Sequence, residues 1–337
     1  MRIDAYTHFF PARYFQALQD SKVPDIGKRV REVPAIHDLD VRRKVVDSFP
    51  DYRQIICVAL PPIGTWTSPD KAEGIARLAN DGLKELCDKY PDQFAGFVAE
   101  VPLTAPDAGA RESERAIKEL GACGVQIVTN VGGKPLDRPE FEPFFAKMNQ
   151  LKLPVWVHPT RTAKTPDYVD EQKSLYEIWW TFGWSYETAT FMARMVFSKT
   201  LDKYPDLKIL VHHFGGIVPM LEGRIGPGWD QLGARTSDED YGALLKSLKK
   251  RPINYFKENF YADSAVFGGE GATIAGKMFY PLEKIVFASD CPFDPEKGPM
   301  YIRETLRLIE KMDWTKAERE QVYYKNLERI TGKTFVK

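Results

Sequence analysis

Short apolar runs alternate with longer amphipathic segments along the chain. Most of the runs are continuously apolar, which is typical of parallel strands that are covered on both faces. Eight such runs predict eight strands, at Arg2–Tyr6, Gln54–Leu60, Phe94–Val101, Gly124–Asn130, Pro154–His158, Lys208–His213, Phe260–Ala265 and Lys284–Asp290.

The segments between these runs have helical spacing. Within Pro69–Tyr90, the residues Ile75, Leu78, Leu83 and Leu86 form one apolar stripe, with lysine and aspartate on the opposite side. Strands that alternate with helices predict an α/β fold, either a parallel barrel or a doubly wound sheet. Further helices are predicted at Ala108–Leu120, Phe141–Leu151, Glu187–Tyr204 and, as a closing helix, Ala317–Thr331.

Two longer insertions interrupt this pattern, Phe10–Leu39 after the first strand and Thr160–Phe182 after the fifth. Both are rich in proline, aromatic or charged residues, and neither has a clean helical period. The loops that follow the strands of a barrel form its catalytic face, so we expect these insertions to shape or cover a pocket. We expect residues 1–337 to form a single domain, a length that an α/β barrel accommodates.

The charge balance argues against a polyanionic partner. Lysine plus arginine and aspartate plus glutamate are equal, at 47 each, so we predict a small-molecule partner and neither nucleic acid nor membrane. The N-terminal segment lacks the apolar stretch of a signal peptide, and no run approaches the length of a membrane span. The four cysteines show no CxxC pairing, which favours free thiols and the cytoplasm.

Ligand-type residues lie at the carboxyl ends of four predicted strands. Histidine is scarce, at five residues, yet His8, His158 and His213 follow or end strands one, five and six, and Asp290 ends strand eight. The carboxyl ends of barrel strands converge on one mouth, so this placement favours a (β/α)8 TIM barrel over a doubly wound sheet. Imidazole and carboxylate groups are the ligands that suit zinc, manganese or iron.

Motifs along nearly the whole chain resemble the amidohydrolase superfamily. Within it they are similar to the branch that contains aminocarboxymuconate-semialdehyde decarboxylase and γ-resorcylate decarboxylase. The similarity is carried by IDAYTHFFP, LANDGL, YPDQFAGF through VPL, ELGACGVQIVTNVGGKPLD, PVWVHP, YPDLKILVHHFGGIVPMLEGRI, FASDCPF and YYKNLERITG.

The resemblance implies roles for individual residues. It implies that His158 and Asp290 are metal ligands, and that His213 is a general acid/base beside the metal's water or substrate. His8 matches the second histidine of the family's H-x-H pair. His212 has no counterpart in the pattern, and strand alternation is expected to turn it into the layer between barrel and helices as a structural residue.

Tyr6 stands where the family has the first histidine of H-x-H. Residues i and i+2 of a strand share a face, so Tyr6 and His8 are expected to point toward the same site. Three possibilities follow. Tyr6 ligates the metal as a phenolate; or His8, His158 and Asp290 hold the metal alone while Tyr6 donates a hydrogen bond to water or substrate; or the metal is lost.

An anionic substrate calls for cationic and aromatic side chains. Arg224 matches a family arginine that reaches the neighbouring subunit's site, which implies a homodimer. Arg31, with Arg29, lies in the first insertion, where the family carries another carboxylate-binding arginine, and Arg161 follows His158 near the mouth. Trp180 belongs to an aromatic group with Trp179, Phe182 and Trp184 that suits a flat substrate, although helix packing explains these residues equally well.

The leading hypothesis is a metal-dependent, non-oxidative decarboxylase of a small aromatic or unsaturated carboxylic acid. It requires one divalent metal ion, zinc in preference to manganese, and no organic cofactor. The alternative is a hydrolase or hydratase acting on a ring, lactone or amide bond, with or without metal. A non-catalytic barrel that binds a small acid is the third. The predicted fourth strand ends in Val128-Thr129-Asn130 without lysine, which weakens a binuclear hydrolase interpretation.

Overall fold

Parallel strands form the centre of the molecule. The computed structural model describes residues 1–21, 30, 32–236 and 239–336, and within these ranges the chain forms eight parallel strands, the third in two pieces. They are β1 (Arg2–His8), β2 (Tyr52–Cys57), β3 (Phe94–Phe97 continued by Ala99–Glu100), β4 (Val125–Val128), β5 (Pro154–His158), β6 (Lys208–Val211), β7 (Phe260–Asp263) and β8 (Ile285–Val286).

Each strand pairs with the next along the chain, and the last returns to the first. The two pieces of β3 connect the ladders, because the first pairs with β2 and the second with β4. Beyond the end of β8, Ala5 N donates to Phe287 O at 2.8 Å and His8 N donates to Cys291 O at 2.8 Å. These bonds close the sheet, so the predicted (β/α)8 barrel is confirmed and the doubly wound alternative is excluded.

The strand residues divide into an inner and an outer set. Val155 and Val157 belong to the large apolar cluster under the helices, whereas Trp156 between them belongs to the cluster inside the barrel. The Trp156 indole crosses the interior and donates to Ala5 O at 3.1 Å. Leu210, Tyr261 and Ala288 belong to the same inner cluster. Because side chains alternate along a strand, the residue two positions after each of these inner residues also faces the interior, and it lies at the carboxyl mouth of the barrel.

Helices surround the barrel. They span Ala12–Asp20, Leu39–Asp47, Pro69–Lys89, Pro106–Lys118, Glu142–Leu151, Ile178–Thr181, Gly183–Phe197, Thr200–Lys203, Tyr241–Ser247, Pro252–Glu258, Glu270–Phe279, Pro299–Lys311, Lys316–Glu320 and Asn326–Thr331. No helix of the described residues is both long and apolar enough to span a membrane.

Most predicted helices are observed with small shifts of their ends. The predicted helix Glu187–Tyr204 is instead two helices, because Lys199 adopts a left-handed conformation with φ of 63°. The closing helix begins after Thr315, which forms a capping box with Glu318, and it passes through a π-helical turn at Gln321–Lys325. All four cysteines are free, as predicted.

The two predicted insertions differ from each other in structure. The first contains the helix Ala12–Asp20, so the expectation that it lacks helical order is wrong for that part. Arg31 and Arg29, the predicted carboxylate-binding residues of this insertion, lie outside the described residues. The second has no regular element between Thr160 and Glu177, after which the short helix Ile178–Thr181 leads into Gly183–Phe197.

A candidate metal centre at the carboxyl end of the barrel

Three histidine rings and one carboxylate meet at the mouth of the barrel. One ring nitrogen from each of His8, His158 and His212 lies within 4.8 Å of the others, and ligand atoms of His212, His213 and Asp290 form a second such group. Asp290 Oδ1 is 3.1 Å from His8 Nε2 and 3.4 Å from His212 Nε2. Sequence analysis predicted His8, His158, His213 and Asp290 for this place, and the structure brings all four together.

Each of the three rings is held through its Nδ1 atom. The partners are Val58 O at 3.2 Å for His8, Pro159 O at 2.6 Å for His158 and Asp263 Oδ2 at 2.5 Å for His212. A carbonyl or carboxylate oxygen accepts a hydrogen bond from Nδ1–H, which in a neutral ring leaves the lone pair on Nε2. Nε2 is therefore the nitrogen that each ring has available for a cation once any proton on it is displaced.

Several of these buried atoms lack a hydrogen bond. His8 Nε2, His212 Nε2 and Asp290 Oδ1 have no hydrogen-bond partner among the described residues, although they lie close to each other. Leaving a buried polar atom unsatisfied costs about 1–3 kcal/mol. A divalent cation between these nitrogen and oxygen atoms would satisfy them together, so the donor set fits zinc or manganese.

The surroundings set the protonation of the site. Burial lowers the pKa of His158 well below its ordinary value, and the neighbouring His212 and His8 lower it further. Burial would also lower the pKa of His212, but the Asp263 and Asp290 carboxylates outweigh it and raise that pKa to about 9. Burial opposes ionisation of Asp290, yet His212 and His8 hold its pKa well below the usual range. A cation at this site thus competes with the proton of His212.

The hydroxyl of Tyr6 is hydrogen-bonded to a protein side chain. It donates to Gln126 Oε1 at 2.7 Å, and Gln126 Nε2 in turn donates to Glu100 Oε2 at 3.0 Å. Burial, with a further contribution from Cys57, raises the pKa of Tyr6 well above 10. Of the three possibilities for Tyr6, this environment opposes the phenolate ligand and gives the hydroxyl a protein partner.

The expected orientation of His212 is wrong. Leu210 faces the barrel interior, so alternation carries His212 to the same side, where its ring packs 4.4 Å from that of Tyr6. His213 follows the end of β6 and reaches the site by another route, because its φ is 56° and the chain turns there. The two imidazoles stack with their centroids 3.5 Å apart.

The glycines after His213 permit this turn. Gly215 and Gly216 both have positive φ, and a Cβ on Gly216 would lie 2.4 Å from Ser185 O. Only glycine allows so close an approach of the loop to the helix Gly183–Phe197. The H-x-GG motif therefore encodes the backbone that presents His213.

Asp263 and Gln126 are site residues that sequence analysis missed. Asp263 Oδ2 contacts His212, while its Oδ1 accepts from His213 N at 2.9 Å and from Ala265 N at 3.1 Å. Asp263 lies on an inner position of β7, two residues after Tyr261. Gln126 lies on an inner position at the middle of β4. The strand-end argument that selected the histidines would have found Asp263 if it had been applied to β7.

Aromatic rings border the histidines. Trp184 lies 5.4 Å from His158, Phe293 lies 5.4 Å from His8 and Phe267 lies 5.0 Å from His213. Trp180 is one ring further out, with its centroid 6.3 Å from that of Trp184 and its indole donating to Glu177. Trp184, rather than Trp180, is thus the member of the predicted aromatic group that contacts a site histidine.

The two described candidate arginines occupy different positions. Arg161 lies beside the site, where its guanidinium is 3.5 Å from Glu187 and donates to Pro166 O at 3.0 Å, and Trp184 donates to its carbonyl. Arg224 is exposed at the start of a π-helical turn, and makes no ion pair with the residues that the structure describes. Within one chain, Arg161 belongs to the mouth and Arg224 to the outer surface.

Comparisons with known proteins agree with this geometry. A family model described as amidohydrolase matches residues 3–332. The γ-resorcylate decarboxylase of Rhodococcus jostii (strain RHA1) is 30% identical over 300 residues, which cover 85% of this chain and 83% of that protein. The crystal structure of 2,6-dihydroxybenzoate decarboxylase complexed with 2,6-dihydroxybenzoate has a TM-score of 0.77 at 26% identity and covers 98% of both chains.

A second solved structure includes a metal. The dihydroxybenzoic acid decarboxylase of Polaromonas sp. JS666, with bound manganese and the inhibitor 2-nitroresorcinol, has a TM-score of 0.77 at 25% identity and covers 98% of this chain and 96% of that chain.

Proposed function

The chain belongs to the amidohydrolase family, and from that premise we propose that it is a metal-dependent, non-oxidative decarboxylase of a small aromatic carboxylic acid. The observation that carries the proposal is the buried set of ring nitrogens and one carboxylate oxygen that face each other without hydrogen bonds at the barrel mouth. The similarity to decarboxylases of dihydroxybenzoates supports the reaction type.

We assign one divalent ion to His8, His158 and Asp290. When bound, the ion acts as a Lewis acid on the substrate's oxygens and offsets negative charge. The manganese in the Polaromonas protein supports manganese as the ion, while the nitrogen-rich donor set is equally suited to the zinc that the sequence favoured.

Protein side chains supply the proton that the reaction requires. The carboxylate leaves as carbon dioxide, its bonding electron pair stays on the ring carbon, and a proton is delivered to that carbon. We assign the proton transfer to Asp290 and His213. The Nδ1 atom of His213 is 2.6 Å from Ala265 O, which orients the ring, and burial with the neighbouring His212 lowers the pKa of His213 to about 4. Near pH 7 the His213 ring is therefore neutral and Asp290 is ionised, so one of them would first take up a proton from water and then pass it to the ring carbon.

The rings of Trp184, Phe293 and Phe267 support a flat substrate, because each packs against a different histidine of the site. For the substrate's carboxylate we retain Arg161, and Arg224 from a second subunit, as binding residues. Arg224 is exposed on its own chain, which is compatible with a role across a homodimer interface. The four free thiols support a reducing compartment such as the cytoplasm.

The test is carbon dioxide release from a panel of hydroxylated benzoates, including 2,6-dihydroxybenzoate, by protein loaded with manganese or zinc. We expect turnover that is lost in His158→Ala and retained in His37→Gln, a matched change of a histidine that instead stacks on Phe15. Folded, metal-loaded protein that releases no carbon dioxide but opens lactones or amides would replace the proposal with the hydrolase alternative.

A further inference from the structure

The metal shell inferred above lacks the ligand that H-x-H normally supplies at position 6. The hydroxyl of Tyr6 is occupied by Gln126 at 2.7 Å, and Gln126 is itself fixed by Glu100 and by Val58 O at 3.2 Å. To ligate a cation, Tyr6 would have to leave this chain of hydrogen bonds and lose a proton in a fully buried position. The hydrogen bonds and the burial of Tyr6 therefore oppose its coordination to a cation.

His212 places an imidazole in the same part of the site. Its ring lies against that of Tyr6, with centroids 4.4 Å apart, and its side chain is fully buried. One of its nitrogens lies within 4.8 Å of nitrogens of His8 and His158. The ring therefore approaches the candidate metal position from the side where the first histidine of H-x-H is missing.

The distances among the donor atoms are those of a coordination shell. With metal–nitrogen bonds of about 2.1 Å, neighbouring ligand atoms lie roughly 3.0–3.4 Å apart in octahedral or tetrahedral geometry. Asp290 Oδ1 is 3.1 Å from His8 Nε2 and 3.4 Å from His212 Nε2. His212 thus has the same spatial relation to the carboxylate as His8, which the family pattern makes a ligand.

Asp263 fixes His212 in the orientation that a ligand needs. The carboxylate is 2.5 Å from Nδ1 of His212, and its other oxygen accepts two backbone N–H groups, so it cannot rotate freely. A histidine that binds a metal through one nitrogen commonly donates from the other to a carboxylate. His212 Nε2 is buried and makes no hydrogen bond with the described residues, although it lies 3.4 Å from Asp290 Oδ1, an arrangement that a shared cation would satisfy.

We propose that His212 is a metal ligand that replaces the missing first histidine of H-x-H, so that His8, His158, His212 and Asp290 form the shell and Tyr6 remains an uncharged neighbour. The proposal rests on the metal dependence of the proposed function. It leaves His213 outside the shell, where it serves proton transfer.

The test measures metal binding independently of catalysis. Manganese and zinc affinities are determined by chelator competition for wild type, His212→Ala, Tyr6→Phe and the control His37→Gln. We expect His212→Ala to weaken binding at least a hundredfold, and Tyr6→Phe and His37→Gln to stay within about threefold of wild type. Asp263→Asn, which keeps the His212 ring, should weaken binding roughly tenfold to a hundredfold.

Wild-type protein provides a second readout that needs no folded variant. X-ray absorption of the zinc-loaded protein should count three imidazole ligands, whereas two would overturn the proposal. It is equally overturned if Tyr6→Phe loses the metal while His212→Ala retains it, or if wild type binds neither ion. If His212 proves to be a ligand and no benzoate is decarboxylated, the proposed reaction fails while the assignment of His212 stands.

Discussion

Glu100 is expected to make the stability of the protein fall as pH rises, and Glu100→Gln should remove that dependence. The carboxyl group is buried beneath the site and receives a hydrogen bond from Gln126 at 3.0 Å. Burial raises its pKa from the ordinary 4.5 to about 8. Between these values the folded protein holds a proton that the unfolded chain has already released, so the free energy of unfolding decreases with increasing pH.

The size of the effect follows from the shift. One pKa unit corresponds to about 1.4 kcal/mol, so a shift of this size amounts to at most about 5 kcal/mol between acid and alkaline conditions. We expect about 2–5 kcal/mol, because some rearrangement accompanies ionisation. A glutamine has the same shape, offers Gln126 the same kind of acceptor oxygen and does not ionise.

The assay is urea unfolding of wild type and Glu100→Gln at several pH values from 5 to 9, with equal metal in all samples. The two proteins should have similar stability near pH 5, and the variant should become the more stable as pH rises toward 9. Glu140→Gln, at an exposed glutamate that pairs with Lys134, serves as the control and should follow wild type. A constant difference between wild type and Glu100→Gln at every pH would refute the reasoning.

Three further predictions concern other residues in and around the site. Trp184→Ala should lower kcat/KM for an aromatic acid at least tenfold, whereas Trp180→Ala should change it less than threefold, because the Trp184 ring packs 5.4 Å from that of His158 and the Trp180 ring packs 6.3 Å from that of Trp184. Steady-state kinetics compare the two variants, and equal losses would contradict the assignment. Arg42→Leu should lower the free energy of unfolding in urea by about 2–4 kcal/mol, because the buried guanidinium of Arg42 donates to His8 O at 2.9 Å and to Gln54 Oε1 at 2.9 Å. A change below 0.5 kcal/mol, which is the ordinary range for surface substitutions, would contradict this. Arg224→Ala should raise KM about tenfold while leaving the melting temperature within a few degrees, because the side chain is exposed on its own chain; an unchanged KM would remove Arg224 from the substrate site.

The barrel and the position of its site could be predicted from the sequence because they depend on patterns that repeat. Parallel strands buried on both faces give continuous apolar runs, and polar residues that end such runs stand out. His8, His158 and Asp290 were predicted as ligands in this way; the structure places a nitrogen of His8 near one of His158 and 3.1 Å from Asp290 Oδ1. Strand β5 is an example: Trp156 lies inside the barrel, and His158, two residues later, faces the same side.

The side-chain directions beyond the strand ends could not be predicted in the same way. His213 and Asp290 both have positive φ, a conformation that non-glycine residues seldom adopt. Such residues no longer follow the alternation of a strand, so counting from the motif assigned His213 to the site and turned His212 away. Asp263 was missed because the strand-end argument was not applied to β7, although its contact with His212 shows that this strand contributes to the site.

The closure of the barrel between its first and last strands has a consequence for the order of events during synthesis of the chain. His8 belongs to the first strand, whereas Asp290 follows the last, and their segments meet where the sheet closes, with His8 N bonded to Cys291 O and Asp290 N bonded to Tyr6 O. An ion that binds both residues therefore cannot be held until nearly the whole chain has been synthesised and its two ends have come together. Once held, it favours that closed state over every open one. We therefore expect uptake of the proposed ion to follow closure of the barrel.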